Sequence, residues 1–195
     1  MAQHAFIAAA ACVAALGLAG RAGAQPAPLA GLQLQDHRLQ PLGAAQLAGR
    51  PVLLHFVFAG CTRVCPLQLQ ELRQLHDALP PAVRSRVRFL SVTVDPLSDT
   101  PATLADFARR QGTDRPGWHF VSGAPAQVHR LLDRLQAFDP RATAPVPDDH
   151  RDALFLYAPD GRLLQRFRGT PVDRVRLADE LTRLAQPAPA PRSPA

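Results

Sequence analysis

The hydrophobic positions fall into short blocks whose period switches between two and about 3.6. Residues 51 to 58, "PVLLHFVF", are apolar except for His55, and such a run predicts a central strand covered on both faces. Beyond it, Leu69, Leu72, Leu75 and Leu79 recur at spacings of three and four, the mark of one helix face. Pro66 fits the first turn of that helix, where a missing N–H costs nothing. A second strand, "VRFLSVTVD" over 87 to 95, leads into a helix that begins at Pro101 behind a Thr100 cap and ends near Gly112. The short strand "WHFV", 118 to 121, precedes a helix with Val128, Leu131, Leu132 and Leu135 on one face. Ahead of these, "LQLQDHRLQPL" alternates as an edge strand or hairpin does. Behind them, "ALFLYAPDGRLLQRFRG" reads as a hairpin turning at Pro159, Asp160 and Gly161. A last helix follows, capped by Thr170 and opened by Pro171, with Asp173 in its first turn.

Strands alternating with helices, then a closing hairpin and helix, imply an α/β sandwich: a central mixed β-sheet flanked by helices, with an added N-terminal strand or hairpin. The 195 residues suit one domain, expected over 25–185. Residues 1–24 read as a secretory signal peptide, with an apolar segment from Ala5 to Ala19 and the small-residue pattern Ala22-Gly23-Ala24. An uncleaved membrane anchor would begin in a similar way, although fifteen residues are short for a bilayer span. The Pro/Ala-rich tail 186–195 lacks apolar content to pack and is expected to be disordered.

The net charge of +6 comes from arginine alone, because all 22 basic side chains are Arg. These arginines are scattered among acids without a basic stripe or interleaved aromatics, which argues against nucleic-acid binding. The absence of Lys excludes Schiff-base chemistry.

Loss of the signal removes Cys12 and leaves Cys61 and Cys65 in "CTRVCP", a pair in a compartment that permits disulfides. A disulfide closing so short a loop adds little stability, so a functional pair is expected. The residue before a proline is pushed away from helical dihedrals, which places Cys65 at the N-cap and Cys61 in the loop before it. There the positive end of the helix, with Arg63, favours a thiolate at Cys65. Three chemistries remain open. One is thiol-disulfide exchange, although three intervening residues are one more than its common spacing. Another is a peroxidase, since Thr62 precedes Cys65 by three as in peroxiredoxins; but Phe58 stands where that motif has a proline. The third is a soft-metal site of two thiolates and an imidazole, a donor set that suits Cu(I) and tolerates Cu(II).

The histidines sort by position. His55 lies in a buried strand, His37 and His76 are expected on the surface of an edge strand and a helix, His119 beside Trp118 is expected to be partly buried, and His129 to be solvated near a helix start. His150 differs: it ends the proline-rich loop "FDPRATAPVPDDH" directly before a strand, and loops of that length are more often functional.

With these segments in order, the chain resembles the SCO/SenC family of copper-binding, thioredoxin-like proteins over about residues 30 to 185. "CTRVCP" matches its Cys-x-x-x-Cys-Pro, "SVTVDPLSDTPATLADFA" its strand ending in Asp-Pro with a following Asp-Thr, "WHFVSG" its tryptophan strand, and "DDHRDALFLYAPDGRLL" its Asp-His segment, strand and Asp-Gly turn. The resemblance implies a thioredoxin-like fold, one copper ion, Cu(I) or Cu(II), on Cys61, Cys65 and His150, and a role near the site for Asp95. It implies a copper metallochaperone for the dinuclear centre of cytochrome c oxidase, periplasmic or extracytoplasmic, soluble or tethered through its N-terminus. Its partners would be a copper-acceptor protein such as an oxidase subunit and a thiol reductant protein. The alternative is a thiol-disulfide oxidoreductase using Cys61 and Cys65 as a redox pair. The chain departs from the family pattern at Thr62, where many members have proline, and at Arg151 and Asp152, where a small hydroxyl residue is common.

Overall fold

The computed structural model describes residues 27–186, so the expected signal and most of the tail lie outside the described residues. Among these, no helix is long and apolar enough to cross a membrane. Seven strands form one sheet: β1 (Leu34–Asp36), β2 (Pro41–Leu42), β3 (Val52–Val57), β4 (Arg88–Thr93), β5 (Trp118–Ser122), β6 (Ala153–Tyr157) and β7 (Leu163–Arg168). Their spatial order is β2-β1-β5-β4-β3-β6-β7. The inner strands β3, β4 and β5 run parallel, while β6 lies antiparallel on β3 and β1 antiparallel on β5. The alternating "LQLQDHRLQPL" is thus a hairpin at the sheet edge, and the sheet is mixed as the element order implies.

Among the described residues, six α-helices accompany the sheet: α1 (Ala44–Leu47), α2 (Val64–Ala78), α3 (Pro81–Arg84), α4 (Pro101–Arg110), α5 (Pro125–Leu135) and α6 (Arg174–Leu184). The long ones follow their apolar periodicity. Leu69, Leu72 and Leu75 of α2, with Leu79 just beyond it, are all buried, as are Val128, Leu131, Leu132 and Leu135 of α5. Thr100 caps α4 as expected, its hydroxyl accepting the Thr103 N–H at 3.2 Å. The last helix begins later than expected, at Arg174, because the Asp173 carboxylate caps it, accepting the Arg176 N–H at 3.2 Å. The short α1 and α3 carry too few turns for periodicity to reveal them.

Two histidines expected at the surface are buried: His37 is 5% exposed and His76 4%. The hairpin folds His37 over β5, where its Nδ1 accepts the Phe120 N–H at 3.1 Å and its Nε2 reaches Asp114 at 3.2 Å. His76 packs against the rings of Phe89 and Trp118. Trp118 is core, as its apolar strand suggests.

His55, at the centre of β3, is 0% exposed. Gln68 Oε1 lies 2.7 Å from its Nδ1 and Ser91 Oγ 2.7 Å from its Nε2, so the imidazole is paired on both sides. Burial holds its pKa down to about 4 against an ordinary 6.5, with the Gln68 hydrogen bond acting in the opposite direction. Between those values the unfolded chain binds the proton and the folded one does not, so acidification removes stability. From pH 7 to pH 4 the loss from His55 is about 3 kcal/mol. Urea unfolding at the two pH values checks this. His55→Phe should be less stable than the parent at pH 7 but should lose about 3 kcal/mol less on acidification; an equal loss in both would mean that His55 is not held neutral.

Candidate metal centre

The cysteine loop leaves the carboxyl end of β3, where α/β sheets commonly carry their ligands. The Cys61 N–H closes a turn on Phe58 O at 3.1 Å. From below, the buried Asp99 carboxylate accepts the Ala59 N–H at 3.2 Å on each oxygen and the Thr93 hydroxyl at 2.5 Å. Cys61 is 7% and Cys65 2% exposed, and both are free thiols.

Cys65 is not at the N-cap. Helix α2 begins one residue earlier, so Cys65 sits in its first turn and Arg63 occupies the cap position without a side-chain hydrogen bond. The Cys65 N–H instead points at Cys61 Sγ, 3.3 Å away, so the first cysteine supplies the cap. The expected thiolate is overturned as well: burial, then the contact with Cys61, pushes the Cys65 thiol far above its ordinary range. Desolvation outweighs the helix end, and the exposed Arg63 does not offset it. Metal capture at this pair must therefore displace a proton.

His150 reaches the same place from the other side. Strand β6 starts beside the end of β3, with His55 opposite Leu154, and this brings the preceding residues over the cysteine loop. A 3-10 turn, Pro147–Asp149, ends the proline-rich loop, and the Arg151 N–H ties it down on Ala137 O at 2.7 Å. His150 is half-buried and stands edge-on to Phe56 and Phe58. Its Nδ1 lies 2.6 Å from Pro147 O. A carbonyl only accepts, so Nδ1 carries a proton, and the neutral ring of this tautomer offers Nε2 as the ligating nitrogen.

Between the two sides lies an open cleft of about 550 Å³, lined among others by Cys61, Thr62, Arg63, Asp148, His150 and Asp152. Cys65 lies behind Cys61 in the first turn of α2. Among the described residues, no three His, Cys, Asp or Glu side chains stand close enough, as placed, to hold a metal ion. The donor set of two sulfurs and an available Nε2 suits copper, but its members must shift to converge on one ion. Asp95 lies outside this cleft. It lines a neighbouring one of about 330 Å³ with His129 and Phe138, and its carboxylate caps a turn by accepting the Ser98 N–H at 3.3 Å.

The SCO1/SenC family profile matches residues 25–186. The chain belongs to the SCO1/SenC family. A putative copper-binding protein of Stutzerimonas stutzeri is 33% identical over 140 residues, which is 70% of this chain and 67% of that protein. The SCO1 protein homolog of Bacillus subtilis is 29% identical over 136 residues, 66% of this chain and 69% of its own length. Among solved structures, copper-bound ScoI of Bradyrhizobium japonicum superposes with a TM-score of 0.64 at 25% identity, over 78% of this chain and 96% of that one. Copper-bound yeast Sco1 does so with 0.67 at 21% identity, over 85% and 92%. The fold is therefore the thioredoxin-like fold of Sco proteins.

Sequence patterns missed Gln68, the glycine at 169 and the place of Asp99 beneath the cysteine loop. For Gln68 a signal exists: it is a polar residue on the apolar stripe of α2, as His55 is in an apolar strand, and two such residues mark a buried pair. Asp99 belongs to the Asp-Thr that follows the Asp-Pro of the family pattern, but nothing in its local spacing shows that it is carried beneath the cysteine loop. Asp99→Ala leaves the Ala59 N–H and the Thr93 hydroxyl unpaired and should cost about 2 kcal/mol in urea unfolding. A cost below about half a kcal/mol would mean that the loop holds without it.

Proposed function

We propose that this SCO1/SenC protein is an extracytoplasmic copper metallochaperone that takes one copper ion on Cys61, Cys65 and His150 and passes it to an acceptor protein. The observation that carries the proposal is that Cys61 and His150 line one open cleft from opposite sides, with the free thiol of Cys65 directly behind Cys61. Copper named for the Stutzerimonas relative and for the Bradyrhizobium structure supports the choice of metal. The acceptor in this proposal is the dinuclear copper site of cytochrome c oxidase or of a related copper protein. Residues 1–24 act as the export signal or as a membrane tether.

The steps assigned to the chain follow from its chemistry. Cys61 and Cys65 release their protons and present two soft sulfurs, and His150 completes the set from the far wall. Release needs the reverse: withdrawal of the His150 imidazole leaves two sulfurs, and an acceptor's thiols can then compete for the ion. The cleft opens beside Cys61, so an acceptor would approach the ion from that side.

A second use is favoured by the contact between the two cysteines, with the Cys61 side chain against both the Cys65 N–H and the Cys65 thiol. The two thiols can reduce an acceptor's disulfide, giving up two electrons and two protons and forming the Cys61–Cys65 disulfide, which a thiol reductant protein would reopen. Anaerobic Cu(I) titration of the reduced protein separates the uses. One tightly held copper per chain, weakened about a hundredfold in His150→Ala and in either Cys→Ser variant, is the expected result. Failure of the parent to retain copper, together with rapid disulfide reduction, would assign the exchange role instead.

A further inference from the structure

A polar line crosses the otherwise apolar core and ends at the metal cleft. The Trp118 indole N–H, which only donates, lies 3.0 Å from Ser91 Oγ. The Ser91 hydroxyl therefore turns its own proton to His55 Nε2 at 2.7 Å, which leaves the ring proton on Nδ1. Nδ1–H donates to Gln68 Oε1 at 2.7 Å, and that fixes the Gln68 amide with its NH2 outward. Gln68 Nε2 then donates to Asp152 Oδ1 at 2.8 Å. Every link runs in one direction, from a fully buried indole to a carboxylate at the cleft.

Asp152 is itself exposed, and an exposed aspartate elsewhere on the surface would be free to rotate. Here it is aimed. It lines the same cleft as Cys61 and His150, and its backbone carbonyl accepts the Gly169 N–H at 3.2 Å. A Cβ at position 169 would overlap both Asp152 Oδ1 and Gln68 Nε2, so the glycine leaves the space in which the two meet. Gln68 takes up one oxygen of the carboxylate and Thr170 lies against it as well, and a carboxylate's roughly four acceptor positions leave room for a cation beside them.

On the copper reading above, we propose that Asp152 is an additional oxygen donor of this cleft, selective for the oxidised ion. Two thiolates and an imidazole suffice for soft Cu(I), while a carboxylate is a hard donor and contributes to Cu(II). The buried line makes Gln68 a positioning residue: it holds Asp152 toward the cleft and touches no ligand position itself.

The test uses the full chain, reduced, with Cu(I) and Cu(II) salts under anaerobic conditions. Affinities are read by chelator competition and the Cu(II) form by electron paramagnetic resonance. Asp152→Asn keeps an acceptor for Gln68 and should lower Cu(II) affinity about tenfold or more, change the copper hyperfine pattern, and leave Cu(I) affinity within about twofold. Gln68→Met, with Asp152 intact, should move the same readouts in the same direction by less. An unchanged Cu(II) spectrum and affinity in Asp152→Asn, beside loss of copper in His150→Ala, overturns the Asp152 proposal and leaves the metallochaperone standing. Equal losses for both ions also overturn it, since they make Asp152 a structural residue. A parent protein that holds neither ion overturns both.

Discussion

The antiparallel pairing of β6 on β3 is the constraint on which the metal cleft depends. Strand β3 delivers the cysteine loop at its carboxyl end, and β6 must begin where β3 stops for its hydrogen bonds to be made. The residues just before β6 are then forced over the cysteines, although His150 lies 85 positions beyond Cys65. A parallel partner would have carried them to the opposite end of the strands. The proline-rich loop and its 3-10 turn supply the length and the last change of direction, and the rings of Phe56 and Phe58 orient the imidazole.

Within that frame, two opposing influences set the state of the thiols. The first turn of α2 offers a positive end and free N–H groups, which lower a thiol pKa. The loop that places Cys65 there also removes it from water, and in this protein desolvation prevails. A buried Cys65 that stays protonated is protected from stray oxidation. Asp99 completes the arrangement from beneath, because the loop N–H of Ala59 and the Thr93 hydroxyl would otherwise be buried without partners.

The core also contains an ordered line of donors and acceptors where apolar side chains would have packed more simply. Such groups are costly unless each is paired, and from Trp118 to Asp152 each one is. The direction of every bond follows from the single fact that an indole N–H cannot accept. That gives the line a defined outer end, and the end lies at the cleft rather than at an arbitrary surface point.

Much of this was legible along the chain. The apolar run of β3, the leucine spacing of α2 and the stripe of α5 follow from local periodicity, since a strand buried on both faces and a helix buried on one have few alternative patterns. The "CTRVCP" and "DDHRDALFLYAPDGRLL" segments were enough to suggest the family and the candidate donors Cys61, Cys65 and His150. What the sequence could not decide depends on neighbours distant in the chain. His37 and His76 looked exposed until β5 and the Phe89 and Trp118 rings covered them. Cys65 looked like a thiolate until burial outweighed the helix end. Asp95 looked close to the site, but its carboxylate turned to a local N–H, while Asp99, four residues on, was carried beneath the loop. Gln68, Asp152 and Gly169 became one unit only when α2, the start of β6 and the end of β7 met. Sequence by itself determined the elements and the donor types, because those rest on local spacing; tertiary structure decided which groups lose water and which face each other, and those two facts set the chemistry.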